Sequence, residues 1–415
     1  MKTRIMALFI VFALLLLVDV YFFQAVLAVS KNWSPAWKQG ARVGFWVPTV
    51  ISFIALLWWQ LGDPYTIKAS VRTWIITGVF VTYFSKLIGI VFLLIDDIQR
   101  LIRWGAGLFQ KKAETLPGVP ITRSQFLTQA AVIASTVPFG AMVFGIVSGA
   151  HDYRIRKVSV KLPNLPKAFD GLRLAQLSDI HSGSFFNKTA VKGGVEMALN
   201  EKPDLILFTG DLVNNESAEV KEYIDVFNKL KAPLGVYSVT GNHDYGDYTN
   251  WASQSAKQQN FKDLIEAHRL MGFDLLMNEH RFIDQGGEKL AIIGIENWGA
   301  GRFSKYGKLE QAHAGTEEAA VKLLLSHDPS HWDAQVRPNY NDIDIAFAGH
   351  THGFQFGVEL GNFKWSPSQY AYKQWAGLYT QGNQHLYVNR GFGYLGYPGR
   401  VGMPPEITIV ELKRA

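Results

Sequence analysis

The distribution of hydrophobic residues divides the chain into two regions. Before about position 150, long apolar runs alternate with short polar segments, whereas after it the apolar runs are short and lie between polar, helix-like stretches. Three early runs reach the roughly 20 apolar residues that cross a bilayer. They are residues 5–29, 43–61 and 74–95. We predict a transmembrane helix in each.

A fourth apolar segment, residues 127–147, is weaker because it contains Gln129, Pro138 and many small residues. It is compatible with a fourth span, an export signal or a buried core helix. The stretch "ITRSQFLTQAAVIAS" resembles an internal twin-arginine export signal in which only Arg123 of the arginine pair is present. We expect a retained fourth span.

The region after residue 150 has the pattern of a layered α/β domain, with apolar runs that read as strands. These runs are "LRLAQL" (172–177), "DLILF" (204–208), "GVYSV" (235–239), "LAIIGI" (290–295), "KLLL" (322–325) and "DIAFA" (344–348). We therefore predict two domains, an all-α transmembrane region of about four helices over residues 1–150 and an α/β domain over residues 151–415.

Two charged residues interrupt the predicted spans. Asp19 lies somewhat past the middle of the first span and Lys86 near the middle of the third. Spans one and three run in the same direction, so the two depths match. An intramembrane charge costs at least roughly 2.5 kcal/mol on insertion scales, and pairing reduces that cost. We predict a contact between Asp19 and Lys86; a proton or ion path is the alternative.

Composition excludes several classes of protein. The chain has no cysteine, which rules out thiolate catalysis, iron–sulfur clusters and cysteine zinc sites. Its formal charge of +6 is modest and its basic residues are scattered, so nothing specifically indicates a nucleic-acid partner. Membrane lipids with anionic headgroups remain compatible.

The short loops predict the side of the membrane on which the α/β domain lies. Four spans put the amino terminus and this domain on the same side. The opposite side carries eight positive residues in loops one and three: Lys31, Lys38, Arg42, Arg100, Arg103, Lys111, Lys112 and Arg123. The domain side carries four: Lys2, Arg4, Lys68 and Arg72. Because positive residues favour the cytoplasm, we expect the domain to face outward from the cytoplasmic membrane.

Residues that can bind metal follow five of the strand-like runs. They are Asp179 and His181, Asp211, Asn242 and His243, His327, and finally His350 and His352. Ligands gather outside the carboxyl ends of strands in α/β sheets, so we expect these residues to share one crevice. A lone histidine after a strand is more often structural, but five of the eleven histidines occupy such positions.

The residue types indicate the metal chemistry. Imidazole, carboxylate and amide groups without thiolate suit manganese, iron or zinc, and the seven such groups other than His243 are too many for one tetrahedral site. Two divalent metal ions are the economical interpretation. We expect the Asp-x-His and His-x-His pairs to be extended, so that each pair holds one ion from one side. Glycines before Asp211, Asn242 and His350 should allow sharp turns.

The ordered motifs "SDIH", "GDLVNN", "GNHD", "SHDP" and "GHTHG" resemble the signature of the calcineurin-like metallophosphoesterases, over about residues 172–412. The closing stretch resembles a membrane-attached branch of that family. The resemblance implies a four-layer α-β-β-α sandwich with a dinuclear metal centre at the strand ends. It implies one metal held by Asp179, His181 and His352, another by Asn242, His327 and His350, and Asp211 as the bridge. Asn214 departs from the family, which often has aspartate there, and should orient its neighbours less strongly.

The resemblance also implies a metal-dependent phosphoesterase. Its substrate would be a phosphate monoester, a diester or a pyrophosphate, and lipid-linked phosphates are among the candidates. His243 would then stabilise the phosphoryl charge or protonate the leaving oxygen. Asp244 would orient its neighbour or cap a turn. Two alternatives stay open: a pyrophosphatase of a nucleotide-linked lipid at the cytoplasmic face, and an inactive metal-binding sensor, against which the intact His243 argues.

Three further features have two interpretations each. Arg390 and Arg400 are candidates for contacting a second phosphate or closing the site, with ordinary surface salt bridges as the alternative. The aromatic and basic tract of residues 363–379 could face lipid headgroups, because tryptophan and tyrosine favour that interface, or could pack as a loop.

Overall fold

The structure, a computed structural model, describes residues 2–62, 69–109, 123–361 and 363–415. Residue contacts divide the chain into two units, Met1–Phe144 and Gly145–Ala415. The division falls inside the last turns of a helix, a few residues before the expected boundary at 150. Three residues used in the loop-charge comparison lie outside the described residues: Lys68, Lys111 and Lys112.

Four long helices occupy the described part of the chain before residue 148. They are α1 (Lys2–Val29), α2 (Pro35–Leu61), α3 (Ala69–Phe109) and α4 (Arg123–Val147). All four are long and apolar enough to cross a membrane, which confirms the prediction of a multi-pass membrane protein. Helix α3 has 41 residues and extends well beyond the predicted span at 74–95. Directly after the predicted span, Asp96 and Arg100 form an i, i+4 ion pair at 2.6 Å that supports the helix, so loss of hydrophobicity does not end it.

The predicted pair of charges in the first unit is confirmed. Lys86 Nζ lies 2.5 Å from Asp19 Oδ1, and both side chains are buried. Thr49 Oγ1 donates to the same carboxylate oxygen at 3.0 Å, and the Tyr83 hydroxyl donates to Oδ2 at 2.9 Å. The Asp19 carboxylate of α1 therefore connects α1 to both α2 and α3.

Besides the end of α4, the second unit contains fourteen strands and five α-helices among its described residues. The strands are β1 (Arg154–Leu162), β2 (Arg173–Leu177), β3 (Leu205–Phe208), β4 (Val236–Ser238), β5 (Asp274–Leu275), β6 (Glu279–Gln285), β7 (Glu288–Gly294), β8 (Val321–Leu325), β9 (Ile345–Ala348), β10 (Val358–Leu360), β11 (Phe363–Trp365), β12 (Gly377–Gln381), β13 (Gln384–Val388) and β14 (Glu406–Arg414). The helices are α5 (Lys188–Asn200), α6 (Ile224–Phe227), α7 (Gln254–Met271), α8 (Leu309–His313) and α9 (Arg337–Asn339). All six apolar runs singled out in the sequence form strands.

These strands form two six-stranded sheets and one two-stranded hairpin. The first sheet has the order β1-β14-β2-β3-β4-β5, the second β12-β13-β9-β8-β7-β6, and β10 pairs with β11. Leu207 of β3 and Leu323 of β8 belong to one buried core between the two sheets. Helices α5 and α7 pack on the outer face of the first sheet, and α8 packs on that of the second. The predicted four-layer α-β-β-α sandwich is confirmed.

The pairing of the strands determines where the polar residues meet. Strands β2, β3 and β4 are parallel neighbours in the first sheet, and β8 and β9 are parallel neighbours in the second. The carboxyl ends of parallel neighbours lie at the same edge of a sheet. The polar segments that follow these five strands are therefore placed together.

Candidate metal centre

One group of candidate ligands comes from the segments after β2 and β9. Its members are Asp179, His181 and His352, and all three side chains are buried. His352 Nε2 lies 3.2 Å from Asp179 Oδ1 and 3.0 Å from His181 Nε2. Three donor atoms of the kind that bind a divalent cation thus converge on one point.

A second group contains Asp211, His327 and His350, which follow β3, β8 and β9. Asn242, after β4, joins it, because its Oδ1 lies 2.8 Å from His350 Nδ1. His350 Nδ1 is also 3.3 Å from His327 Nε2. Asp211 Oδ2 lies 3.1 Å from His327 Nε2 and 3.4 Å from His181 Nε2 of the first group. The structure therefore brings all seven sequence-predicted residues together, with Asp211 between the two groups.

The backbone at these residues is not extended, which corrects the explanation of the i, i+2 spacing. Asp179, His181, His350 and His352 have positive φ angles of 52°, 48°, 69° and 51°. Left-handed backbone is uncommon for residues with a side chain and is concentrated at functional sites. His350 and His352 also belong to different groups of candidate ligands, so the two histidines of the His-x-His pair are not placed to bind the same ion. The chain turns sharply after each strand instead.

Two glycines make the close approach of these segments possible. Gly210, before Asp211, has a φ of 96°, so the expected sharp turn is present there. Gly349, before His350, serves a different purpose, because a Cβ at this position would lie 2.1 Å from Asp179 Oδ2. The segments after β2 and β9 can therefore pack against each other only if residue 349 has no side chain.

The protonation pattern tests whether the donors fit a cation. His327 Nδ1 lies 2.8 Å from the Thr209 carbonyl oxygen, which can only accept, so this nitrogen carries the hydrogen. His181 Nδ1 faces Asn214 Oδ1 at 3.1 Å in the same way. In the neutral rings, each Nε2 then has a free lone pair, and these nitrogens lie close to other acceptors: His181 Nε2 is 3.0 Å from His352 Nε2, and His327 Nε2 is 3.1 Å from Asp211 Oδ2. Acceptor atoms this close repel one another unless a cation or a proton lies between them, so the donor set fits metal ions.

The electrostatics of Asp211 and His327 agree with this. Burial raises the pKa of Asp211, but the neighbouring His327 and His243 hold it well below its usual range. Burial lowers the pKa of His327, but the charge and hydrogen bond of Asp211 raise it to about 10. The buried carboxylate thus stabilises positive charge strongly, and a metal ion would compete with the proton on His327 for it.

Sequence reasoning missed two residues that hold His350. Its Nε2 lies 2.7 Å from the Tyr372 hydroxyl and 3.7 Å from Asp328 Oδ2. These contacts orient the ring of His350 so that its Nδ1 faces the other members of the second group. Asp328 directly follows His327 in "SHD", and this adjacency was an available signal. For Tyr372, which lies 22 positions after His350 in a loop, the sequence has no comparable signal.

His243 and Asp244 have separate roles. His243 is half-buried, and its Nδ1 lies 2.7 Å from the Asn214 carbonyl oxygen. Its backbone N–H donates to Asp211 Oδ1 at 2.9 Å. The Asp244 carboxylate accepts the backbone N–H groups of Gly241 at 2.8 Å and Asp211 at 2.9 Å. Asp244 therefore caps the turns that carry the ligands, as one of the two sequence interpretations proposed.

Arg390 and Arg400 are both buried, so the interpretation of them as surface arginines in ordinary salt bridges is wrong. Arg390 is 3% exposed and forms a buried ion pair with Glu406 at 2.5 Å. Arg400 is 2% exposed, and its guanidinium donates to backbone carbonyls, including that of Met403 at 3.2 Å. Its Nη2 lies 3.2 Å from His352 Nδ1. Arg400 thus supports the loop behind the first group of ligands.

Two family models match separate parts of the chain. Residues 3–150 match "Probable Calcineurin-like phosphoesterase, transmembrane domain". Residues 172–354 match "Calcineurin-like phosphoesterase", a range that contains all seven candidate ligands. The two matches follow the order of the helical region and the α/β domain.

Three similar proteins extend this result. The "Uncharacterized metallophosphoesterase YkuE" of Bacillus subtilis is 30% identical over 291 residues, which cover 66% of this chain and 94% of that protein. The "Transmembrane protein with metallophosphoesterase domain" of Bos taurus is 27% identical over 427 residues, covering 97% and 88%. The "Phosphodiesterase YaeI" of Escherichia coli is 26% identical over 294 residues, covering 70% and 99%. The chain therefore belongs to the calcineurin-like metallophosphoesterases, hydrolases of phosphoesters, and carries a transmembrane region before its catalytic domain.

Proposed function

We propose that the second unit hydrolyses a phosphate monoester, diester or pyrophosphate at a dinuclear metal centre. One ion would be held by Asp179, His181 and His352, the other by Asn242, His327 and His350, and both by Asp211. The observation that carries this proposal is the position of Asp211 Oδ2, 3.4 Å from a nitrogen of one group and 3.1 Å from a nitrogen of the other. A carboxylate in that position can serve two cations.

The chemistry of the donors limits the choice of metal. Imidazole, carboxylate and amide donors suit manganese, iron or zinc. When bound, such ions polarise phosphoryl oxygens and lower the pKa of an attacking water. The protein fixes the positions of the donors. In each of three histidines, the ring nitrogen that would not bind metal contacts a neighbouring oxygen atom: His181 Nδ1, His327 Nδ1 and His350 Nε2.

His243 is the proposed catalytic residue outside the ligand set. Its Nδ1–H donates to the Asn214 carbonyl, which fixes the ring and leaves Nε2 for substrate. Its ring centroid lies 5.0 Å from that of His181, beside the proposed metal ions. From there the imidazole can stabilise charge on the phosphoryl group or give a proton to the leaving oxygen.

Two substitutions separate metal binding from proton transfer. His243→Ala should lower turnover by roughly 10²-fold or more at nearly normal metal content, because the backbone N–H that supports Asp211 is retained. Asp211→Ala should lose metal and activity together. Metal content is measured by mass spectrometry on the purified full chain, and activity with bis-p-nitrophenyl phosphate and manganese.

A histidine outside the site gives the matched control. His280, on the edge strand β6 of the second sheet, donates to the Ala312 carbonyl of α8 and contacts none of the candidate ligands in the described residues, so His280→Ala should change neither readout. A wild-type rate for His243→Ala would contradict the role of His243. Full metal content in Asp211→Ala would contradict the shared carboxylate.

We also propose that the catalytic domain faces outward from the cytoplasmic membrane, where phosphate esters of lipids are among its accessible substrates. The support is the excess of positive residues in the loops on the opposite side. A reporter fused after Ala415 tests this: alkaline phosphatase should be active and green fluorescent protein dark. The reverse pattern would place the enzyme in the cytoplasm and favour hydrolysis of a nucleotide-linked lipid pyrophosphate.

A further inference from the structure

The hairpin formed by β10 and β11 has its apolar face directed outward. Val358 pairs with Trp365 and Leu360 with Phe363, so these four side chains share one face. They are 43, 38, 71 and 59% exposed, respectively. We call these four residues the hairpin face. In a soluble two-stranded ribbon on a protein surface, the apolar face normally packs on the core and the polar face contacts water.

The polar face of the same hairpin is attached to the protein. Glu359 forms ion pairs with Arg390, at 2.5 Å, and with Arg156. Lys364, its cross-strand partner, donates to the Ala376 carbonyl at 2.6 Å. These charged contacts fix the orientation of the ribbon. The hairpin face is therefore held outward by ion pairs and hydrogen bonds on its reverse side.

The base of the hairpin lies beside the end of helix α4. The backbone N–H of Gly357, which precedes β10, donates to the Val401 carbonyl at 2.9 Å. The adjacent Arg400 backbone N–H donates to the carbonyl of Gly145 in the last turn of α4 at 3.1 Å. Gly145 belongs to the second unit and lies within the candidate membrane span Gln125–His151, so the base of the hairpin is close to the carboxyl end of that span.

We propose that the hairpin face inserts into the lipid surface next to the exit of α4. Its composition fits that environment, since tryptophan at the headgroup level and leucine and phenylalanine below it are the usual contacts of interfacial segments. Tyr370, which is 79% exposed and follows β11 closely, adds a second amphipathic ring. An exposed apolar cluster of this kind marks an interaction surface, and the bilayer is the partner that the neighbouring span supplies.

The absence of cysteine from the sequence allows a direct test with single labels. Leu360→Cys and Phe363→Cys are each labelled with a nitrobenzoxadiazole dye in the full chain, which is reconstituted into phosphatidylcholine vesicles. Leu270→Cys on α7 is the control, because Leu270 is a similarly exposed apolar residue, at 49%, on another surface of the same unit. Quenching is measured with spin-labelled lipid and with aqueous iodide.

The expected result is several-fold stronger quenching by spin-labelled lipid at 360 and 363 than at 270, with the opposite order for iodide. Equal quenching at all three positions would overturn the proposal. Protection from iodide that persists in detergent and is lost when the protein is diluted would also overturn the proposal. That result would identify a second copy of the chain as the partner of the hairpin face. The measurement does not depend on metal binding or on turnover.

Discussion

The buried pair of Asp19 and Lys86 allows a quantitative test of how the membrane helices are held together. The Asp19 carboxylate is fully buried and accepts hydrogen bonds from Lys86 Nζ, the Thr49 hydroxyl and the Tyr83 hydroxyl. Lys86 Nζ also lies 4.4 Å from the centre of the Phe45 ring. The substitution Lys86→Met removes the cation and leaves the carboxylate with two neutral donors.

The magnitude follows from the uncompensated charge. Removing one partner of a buried ion pair costs about 3–5 kcal/mol, whereas replacing both charges by neutral groups of similar size is close to neutral. Lys86→Met alone should therefore destabilise the first unit by about 3 kcal/mol or more. The double variant Asp19→Asn/Lys86→Met should recover most of that loss, because no charge is left unpaired.

A double-mutant cycle measures this coupling in the purified full chain. The free energy of unfolding is obtained from titration with sodium dodecyl sulfate in mixed micelles, followed by the fluorescence of tryptophans, of which the chain has twelve. An interaction energy of about 2 kcal/mol or more is expected between the two positions, because the double variant should recover most of the single-variant loss. A double variant whose loss equals the sum of the two single losses would refute the reasoning.

Two further predictions concern the catalytic unit. Burial lowers the pKa of His268 to about 3, so below pH 6.5 the unfolded chain takes up a proton that the folded chain does not. The free energy of unfolding should therefore fall by about 2 kcal/mol from pH 7 to pH 5. Thermal unfolding of wild type and of His268→Gln checks this, because the variant should show a flatter pH dependence. Gly349→Ala should reduce metal content and activity, because its Cβ would collide with Ser178 Oγ and Asp179 Oδ2. The control is Gly193→Ala on α5, where a Cβ meets no atom within 4 Å, and this variant should leave both metal content and activity unchanged.

The strands that carry the ligands could be predicted because of how they are buried. Strands β3 and β9 are buried at every position, so each reads in the sequence as an uninterrupted apolar run with a sharp polar end, and β8 does so apart from the buried Lys322. In contrast, β1 and β14 pair with each other although they begin 252 positions apart, at Arg154 and Glu406. Pairing over that distance is decided by packing of the whole domain and has no local signal.

The candidate ligands could also be selected from the sequence, but their surroundings could not. Residue type and position after a strand sufficed to select Asp211 and His327. The left-handed backbone at Asp179 and His350 depends on close packing between segments from different sheets, which the local sequence does not specify. The contact of Tyr372 with His350 likewise joins two loops through the tertiary fold.

The substitution of asparagine for the family's usual aspartate at 214 affects only one of the two histidines that this residue supports. The Asn214 side-chain oxygen accepts from His181 Nδ1 at 3.1 Å and shares hydrogen bonds with Ser184, so it can still select the His181 tautomer. A neutral amide increases the basicity of that imidazole less than a carboxylate would. His243, however, donates to the backbone carbonyl of residue 214, which is the same for either side chain. The exchange would therefore weaken metal binding only at the first group of candidate ligands, and it leaves the support of the proposed catalytic histidine unchanged.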